Sequence, residues 1–238
     1  MRKLIDHKES ICSLCQCQIR ENTLFAGLNE KQLEAFKDVV VISAYGKKEV
    51  IFLEGDECTG LYIIRTGRVK VVRSSPQGKE QIIRILSPGE LLGFEVFSDA
   101  RAYGNTAVAM EESELCYIPK GGFFDILERE PRVAAKLLIS MGRELRDAYE
   151  RIGQLGLLNA REKLAHLLYT LAKDYGVPEN GGIRLNLRLS RLDIAELLGI
   201  TQETSIRLLK SFKEEGLVEI RRKEIFIRDP ERLLAAAR

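Results

Sequence analysis

The chain of 238 residues reads as an α+β protein with an N-terminal antiparallel β jelly-roll, a long helix and a C-terminal winged helix-turn-helix. Three observations predict this. Short β-branched segments separated by closely spaced turn residues run from Val39 to about Tyr117, which argues for a sandwich or barrel. Beyond Pro131, apolar residues recur at alternating steps of three and four, the mark of a long helix with one buried stripe. Residues Leu189 to Ile220, LSRLDIAELLGITQETSIRLLKSFKEEGLVEI, carry start and stop signals for two helices meeting at a glycine. The length is enough for two domains, each with a core of its own.

The elements follow in order. Residues 1–22 form a polar segment bearing Cys12, Cys15 and Cys17. Residues 23–130 form the β domain, opened by a short helix over LNEKQLEAF with Asn29 near its start. Its strands include EVIFLEG, GLYIIRTG, RVKVVRSS and EQIIRILS, punctuated by Gly55-Asp56, Thr66-Gly67, Gln77-Gly78 and Pro88-Gly89. The long helix takes 131–158. Leu138, Met141, Leu145, Ala148, Ile152 and Leu155 form an a/d seam along it, which packs either on its own domain or on a second copy. The C-terminal domain, 159–238, opens with the amphipathic helix AREKLAHLLYTLAKDYG. The polar loop PENGG and a short strand RLNLRLS follow, and LVEIRRKEIFIRD alternates as two strands with Arg221, Arg222 and Lys223 at their tip.

Within the helix-turn-helix, Ser190 and Asp193 offer a capping box, Ile194, Leu197 and Leu198 a buried stripe, and Gly199 the left-handed turn. Thr201 caps the second helix, whose inner face is Leu208, Leu209 and Phe212 and whose stop is Gly216. Gln202, Glu203, Ile206, Arg207 and Lys210 are left on the outward face near its start. In such a motif that face enters the DNA major groove. Double-stranded DNA is therefore the expected partner. A two-fold arrangement on a symmetric site favours the seam as a homodimer contact.

Net charge is only +2, so the basic bias is local, concentrated in the C-terminal domain where it overlaps the helix-turn-helix. No apolar run is long enough for a bilayer and the N-terminus is too polar for a signal peptide, so no membrane association and a cytoplasmic location are expected. Five cysteines in that compartment suit metal ligation or free thiols better than disulfides. The two histidines, His7 and His166, neighbour no evident nucleophile or carboxylate pair, which argues against an enzyme.

From about Leu24 to Ile227 the chain resembles the CRP/FNR superfamily of bacterial transcription regulators. EGDECTGLYIIRTGRVKV is similar to the family's first barrel hairpins, PGELLGFE to its later barrel turn, NAREKLA to the start of its DNA-binding domain and TQETSIRLLKSF to its recognition helix. The resemblance implies a cyclic-nucleotide-binding-like β-roll, a homodimer and RNA polymerase as a partner. The cysteines place the likeness nearest the oxygen-responsive FNR branch. Cys12, Cys15, Cys17 and Cys116 would then hold a [4Fe–4S] cluster whose loss to oxygen or nitric oxide releases the dimer. Soft thiolates suit iron–sulfur or zinc, and simple thiol switching is the further alternative. Only Gln16 separates Cys15 from Cys17, closer than that branch spaces them, and Cys58 is the alternative thiol.

The CRP branch implies instead a cyclic nucleotide near Gly93 and Glu95, held by an Arg-Ser pair. The positions here are Tyr103 and Gly104, with Arg101 nearby, so the phosphate clamp is missing or moved. Glu150 has an acidic counterpart in the FNR branch and is expected either as a like-charge brake at the seam or as an ordinary solvated glutamate. In this family Glu203 and Arg207 read a TGA-containing half-site, implying a TTGA-like inverted repeat. Arginine donates twice to guanine and glutamate accepts from a cytosine amino group. Ile206 stands where FNR-type proteins carry serine, and either packs on a thymine methyl or turns inward.

Overall fold

The computed structural model describes residues 3–4, 26, 29, 31, 39–221 and 224–235. The helix expected over 28–36 falls almost wholly outside them, as do Cys12, Cys15, Cys17, Arg222 and Lys223. The chain forms two compact units, Met1–Arg143 and Glu144–Arg238.

In the first unit β1 is Lys3–Leu4, β2 Val41–Tyr45, β3 Val50–Phe52, β4 Gly60–Thr66, β5 Val69–Ser74, β6 Glu80–Leu86, β7 Leu91–Leu92, β8 Thr106–Ala109 and β9 Ser113–Pro119. They make two antiparallel sheets, β1-β2-β9-β4-β7 and β3-β8-β5-β6. A single core runs through both, including Ile42, Ile51, Ile63, Ile64, Val69, Leu86, Leu115 and Cys116, and on β4 and β9 consecutive residues are buried on both faces. Helix α1, Lys120–Arg129, drops Phe123 and Ile126 into that core. Val133 and Leu137 of the long helix α2, Pro131–Leu157, join it.

In the second unit α3 is Ala160–Tyr175, β10 Gly176–Glu179, β11 Gly182–Leu185, α4 Arg191–Leu198, α5 Gln202–Glu214, β12 Val218–Arg221, β13 Glu224–Ile227 and α6 Pro230–Ala235. The four strands form one sheet, β10-β11-β13-β12. Two expectations change here. PENGG is no linker but the turn of a β10–β11 hairpin, in which Asn180 (φ 46°) and Gly181 (φ 79°) take the two positive φ values that a type I′ turn requires. The strand sought in RLNLRLS ends at Leu185, and Leu187 and Leu189 are buried as irregular chain leading to α4.

Caps account for the helix boundaries. Asn159 accepts from Arg161 and Glu162 backbone N–H groups at 2.9 and 3.0 Å, and Glu162 Oε2 accepts from Asn159 N at 2.7 Å. Such a cap is worth about 1 kcal/mol. No helix among the described residues is long and apolar enough to cross a membrane.

Candidate functional site

The two helices α4 and α5 are set by their ends. Ser190 Oγ accepts from Asp193 N at 3.0 Å and Asp193 Oδ2 accepts from Ser190 N at 2.9 Å, closing the expected capping box. Gly199 stops α4 at φ 67°, a conformation that a residue with Cβ adopts only with strain. Thr201 Oγ1 then accepts from Thr204 N at 3.2 Å and starts α5. Leu209 and Phe212 are fully buried, Leu208 only half so, and Ser205 takes the third inward position. Arg161 of α3 stacks over Phe212 at 4.7 Å and forms a two-pronged bridge to Glu215 at 2.9 and 2.6 Å. These contacts hold both ends of α5.

The outward face of α5 is as expected. Gln202, Glu203, Ile206, Arg207 and Lys210 are all exposed, and Ile206, 47% accessible, does not turn inward. Lys210 lies 3.7 Å from Glu214, whereas Glu203 and Arg207 make no ion pair or hydrogen bond among the described residues. One turn apart, they leave a donor fork and an acceptor side by side near the helix N-terminus. In the adjoining hairpin, Arg221 stacks over Phe226 at 5.1 Å and bonds Glu219 at 2.8 Å.

Along α2, Leu138 and Ile152 are 69% and 65% accessible, and Leu145, Ala148 and Leu155 are exposed as well. Met141 is the exception, half-buried against the β-roll core. So long an apolar stripe facing water asks for a cover. Glu150 requires a correction as a seam residue. At about 100° per residue it lies some 200° from both Ala148 and Ile152, on the opposite side of the helix. On a two-fold reading of the stripe its charge would face away from the second copy, and the side chain is exposed as an ordinary solvated glutamate.

In the β-roll, Cys116 is 1% exposed and pairs in register with Ile42 of β2 and Ile63 of β4. Alternation puts it on the face of β9 opposite Leu115 and Tyr117. Its strand fixes it, and its thiol is the soft donor type that iron or zinc accepts. Among the described residues no three His, Cys, Asp or Glu side chains gather as a metal site. Cys58 is buried in the turn before β4, and burial pushes its thiol pKa up.

The nucleotide positions are occupied by the chain itself. Tyr103, 3% exposed, stacks on Phe52 at 3.8 Å and donates to Gly60 O at 2.8 Å. Glu95 Oε1 accepts from Gly104 N at 3.1 Å, which gives it a structural role. A neighbouring cavity of about 260 Å³ is lined by Tyr45, Tyr62, Tyr103 and Tyr117, with Asp56 and Glu57 also on its walls and no cation among the described residues. A cyclic phosphate would meet aromatic rings and carboxylates there. The Tyr103 plug escaped the sequence reading, where the residue counted only as a missing clamp.

Residues 42–130 match the family model described as "Cyclic nucleotide-binding domain", and residues 162–236 match "Crp-like helix-turn-helix domain". Regulatory protein HlyX of Actinobacillus pleuropneumoniae is 33% identical over 215 residues, covering 90% of this chain and 89% of that one. The fumarate and nitrate reduction regulatory protein of Escherichia coli (strain K12) is 30% identical over 225 residues, 94% and 90% of the two chains. Among solved structures, FixK2 from Bradyrhizobium japonicum superposes with TM-score 0.73 at 26% identity over 82% of this chain and 96% of that one. A CooA variant from Carboxydothermus hydrogenoformans shares the fold, with TM-score 0.75 at 24% identity over 93% and 95%.

Proposed function

Because this chain belongs to the CRP/FNR superfamily of transcription regulators, near its FNR branch, we propose that it is a homodimeric, oxygen- or nitric-oxide-responsive regulator. In this reading it works in the cytoplasm, binds a TTGA-like inverted repeat and engages RNA polymerase. The chain is a regulator with a DNA-binding domain, not an enzyme. The observation that carries the DNA reading is the capped start of α5, which presents Glu203 and Arg207 uncommitted to any ion pair among the described residues.

Arg207 donates to guanine O6 and N7, Glu203 accepts from a cytosine amino group, and Ile206 meets a thymine methyl. Backbone contacts come from the tip of the β12–β13 hairpin and position the helix without reading sequence. Two copies pair through Leu138, Leu145, Ala148, Ile152 and Leu155, which removes the apolar stripe from water and doubles the bases read.

For the sensor, Cys116 on β9 and Cys12, Cys15 and Cys17 of the N-terminal segment are the thiolates that would hold a [4Fe–4S] cluster. When bound, such a group supplies an oxygen-labile cross-link between that segment and the β-roll. The tether permits it. Leu4 is paired with Ser43, itself opposite Leu115, and the eight residues from Leu4 to Cys12 span up to about 26–29 Å. Cys116 is held rigid between two strands, so a bound segment would be fixed to the sheet and not merely near it.

Binding-site selection with anaerobically purified protein tests the DNA half. It should return inverted TTGA repeats bound by a species that sediments as a dimer. Selection of unrelated or asymmetric sites would overturn it.

A further inference from the structure

Helix α4 has eight residues, so much of its hydrogen bonding is at its ends. At its C-terminus, Gly199 N and Ile200 N both turn back to Ala195 O. The carbonyl of Leu197, in the last turn of the helix, is met by Arg151 of α2, whose Nη2 donates to it at 2.8 Å. A cation belongs there, because the last carbonyls carry the negative end of the helix dipole. Burial of the guanidinium depresses its pKa, so the contact is a desolvated one. Arg151 lies about a quarter turn from the seam of Ala148 and Ile152, and can hold α4 while the seam is covered.

We infer that Arg151 is a positioning residue for DNA recognition: by bonding Leu197 O it fixes the helix-turn-helix to the C-terminal half of α2, and so sets the spacing between the two half-sites a dimer reads. The inference rests on the dimeric DNA-binding reading above. Its physical content is a lever. Each base pair inserted between half-sites moves them by about 3.4 Å and turns them by about 35°. A rigid pair of reading heads rejects that displacement, and a loosely attached pair follows it.

The test uses full-length protein and TTGA inverted-repeat duplexes whose spacers differ by single base pairs, with affinity read by anisotropy. The wild type should show one preferred spacer. Arg151→Met keeps an unbranched apolar stem and loses the donor. It should bind the preferred spacer about tenfold more weakly, with a flattened penalty at its neighbours, while still sedimenting as a dimer. Arg151→Lys, which keeps a cation at the carbonyl, should recover part of the discrimination. A merely structural arginine would lower melting temperature yet leave the spacer profile of Arg151→Met intact, and that result overturns the inference. If Arg151→Met does not fold, Arg151→Leu, which also removes the donor, decides on the same criterion. A wild type indifferent to spacing would sink the two-fold reading instead, and the inference with it.

Discussion

The β-roll and the helix-turn-helix treat their polar side chains in opposite ways. In the β-roll, Tyr103 donates to Gly60 O, Glu95 accepts from Gly104 N, Arg84 bonds Glu90, and Arg68 bonds Glu111 at 2.9 Å. On the recognition helix, Gln202, Glu203 and Arg207 are exposed and make no such bonds among the described residues. Unpaired donors and acceptors at a helix start cost little in water and gain full value only against a partner that matches them. The contrast sets polar groups that hold the β-roll together apart from groups left open to a partner.

The largest expected effect comes from the seam that joins these two behaviours. Leu145→Glu puts an uncompensated charge into an apolar contact, a loss of about 3–5 kcal/mol per buried charge. The variant should sediment as a monomer and lose specific DNA binding, and a dimer of normal affinity would remove the seam from the account. Glu150→Ala, on the far side of α2, should leave association unchanged.

Next is the reading head. Arg207→Ala should weaken binding to the TTGA repeat by about 1–3 kcal/mol and relax the preference for guanine in a selection experiment. An unchanged guanine preference would show that the exposed arginine is only a surface charge. Ser190→Ala, which removes the capping box of α4, should cost about 1 kcal/mol in a thermal melt and leave base preference alone.

Smaller again is the Arg161–Glu215 bridge, a partly exposed pair worth about 0.2–1 kcal/mol. The Arg161 hydrogen bonds hold the Glu215 carboxyl below its ordinary pKa. Its contribution is therefore present above the unfolded value and lost as pH falls through the folded one. The stability gap between wild type and Arg161→Ala should shrink in that acidic window. The smallest expected effect is none: millimolar cyclic AMP should leave the melting temperature of the intact protein in place, since Tyr103 fills the site. A clear upward shift would mean that the closed β-roll opens.

Much of this was legible in the chain. Ser190, Gly199, Thr201 and Gly216 act locally, through caps and turn conformations, and each does what its type implies. The Asn180-Gly181 turn was equally local and was misread only because PENGG looked like a polar linker. What stayed hidden depends on contacts distant in sequence. Tyr103 plugs the β-roll through Phe52 and Gly60, about fifty residues away, and Arg151 reaches Leu197 across 46 positions. Glu150 shows a different limit: an acidic residue near a seam in sequence can still lie on the wrong side of the helix, and only the angular position decides. Cys12, Cys15 and Cys17 lie outside the described residues, so the sensor rests on ligand chemistry and on the placement of Cys116.

On the proposed function, access to DNA is gated by a group held on those thiolates. The most direct measurement titrates a TTGA inverted repeat with anaerobically purified protein, then repeats it after exposure to air, with iron, sulfide and visible absorbance followed in parallel. The protein should be brown and contain iron, and its tight binding should fall away as absorbance and iron are lost. Colourless, iron-free protein that binds the duplex equally well in air would contradict it.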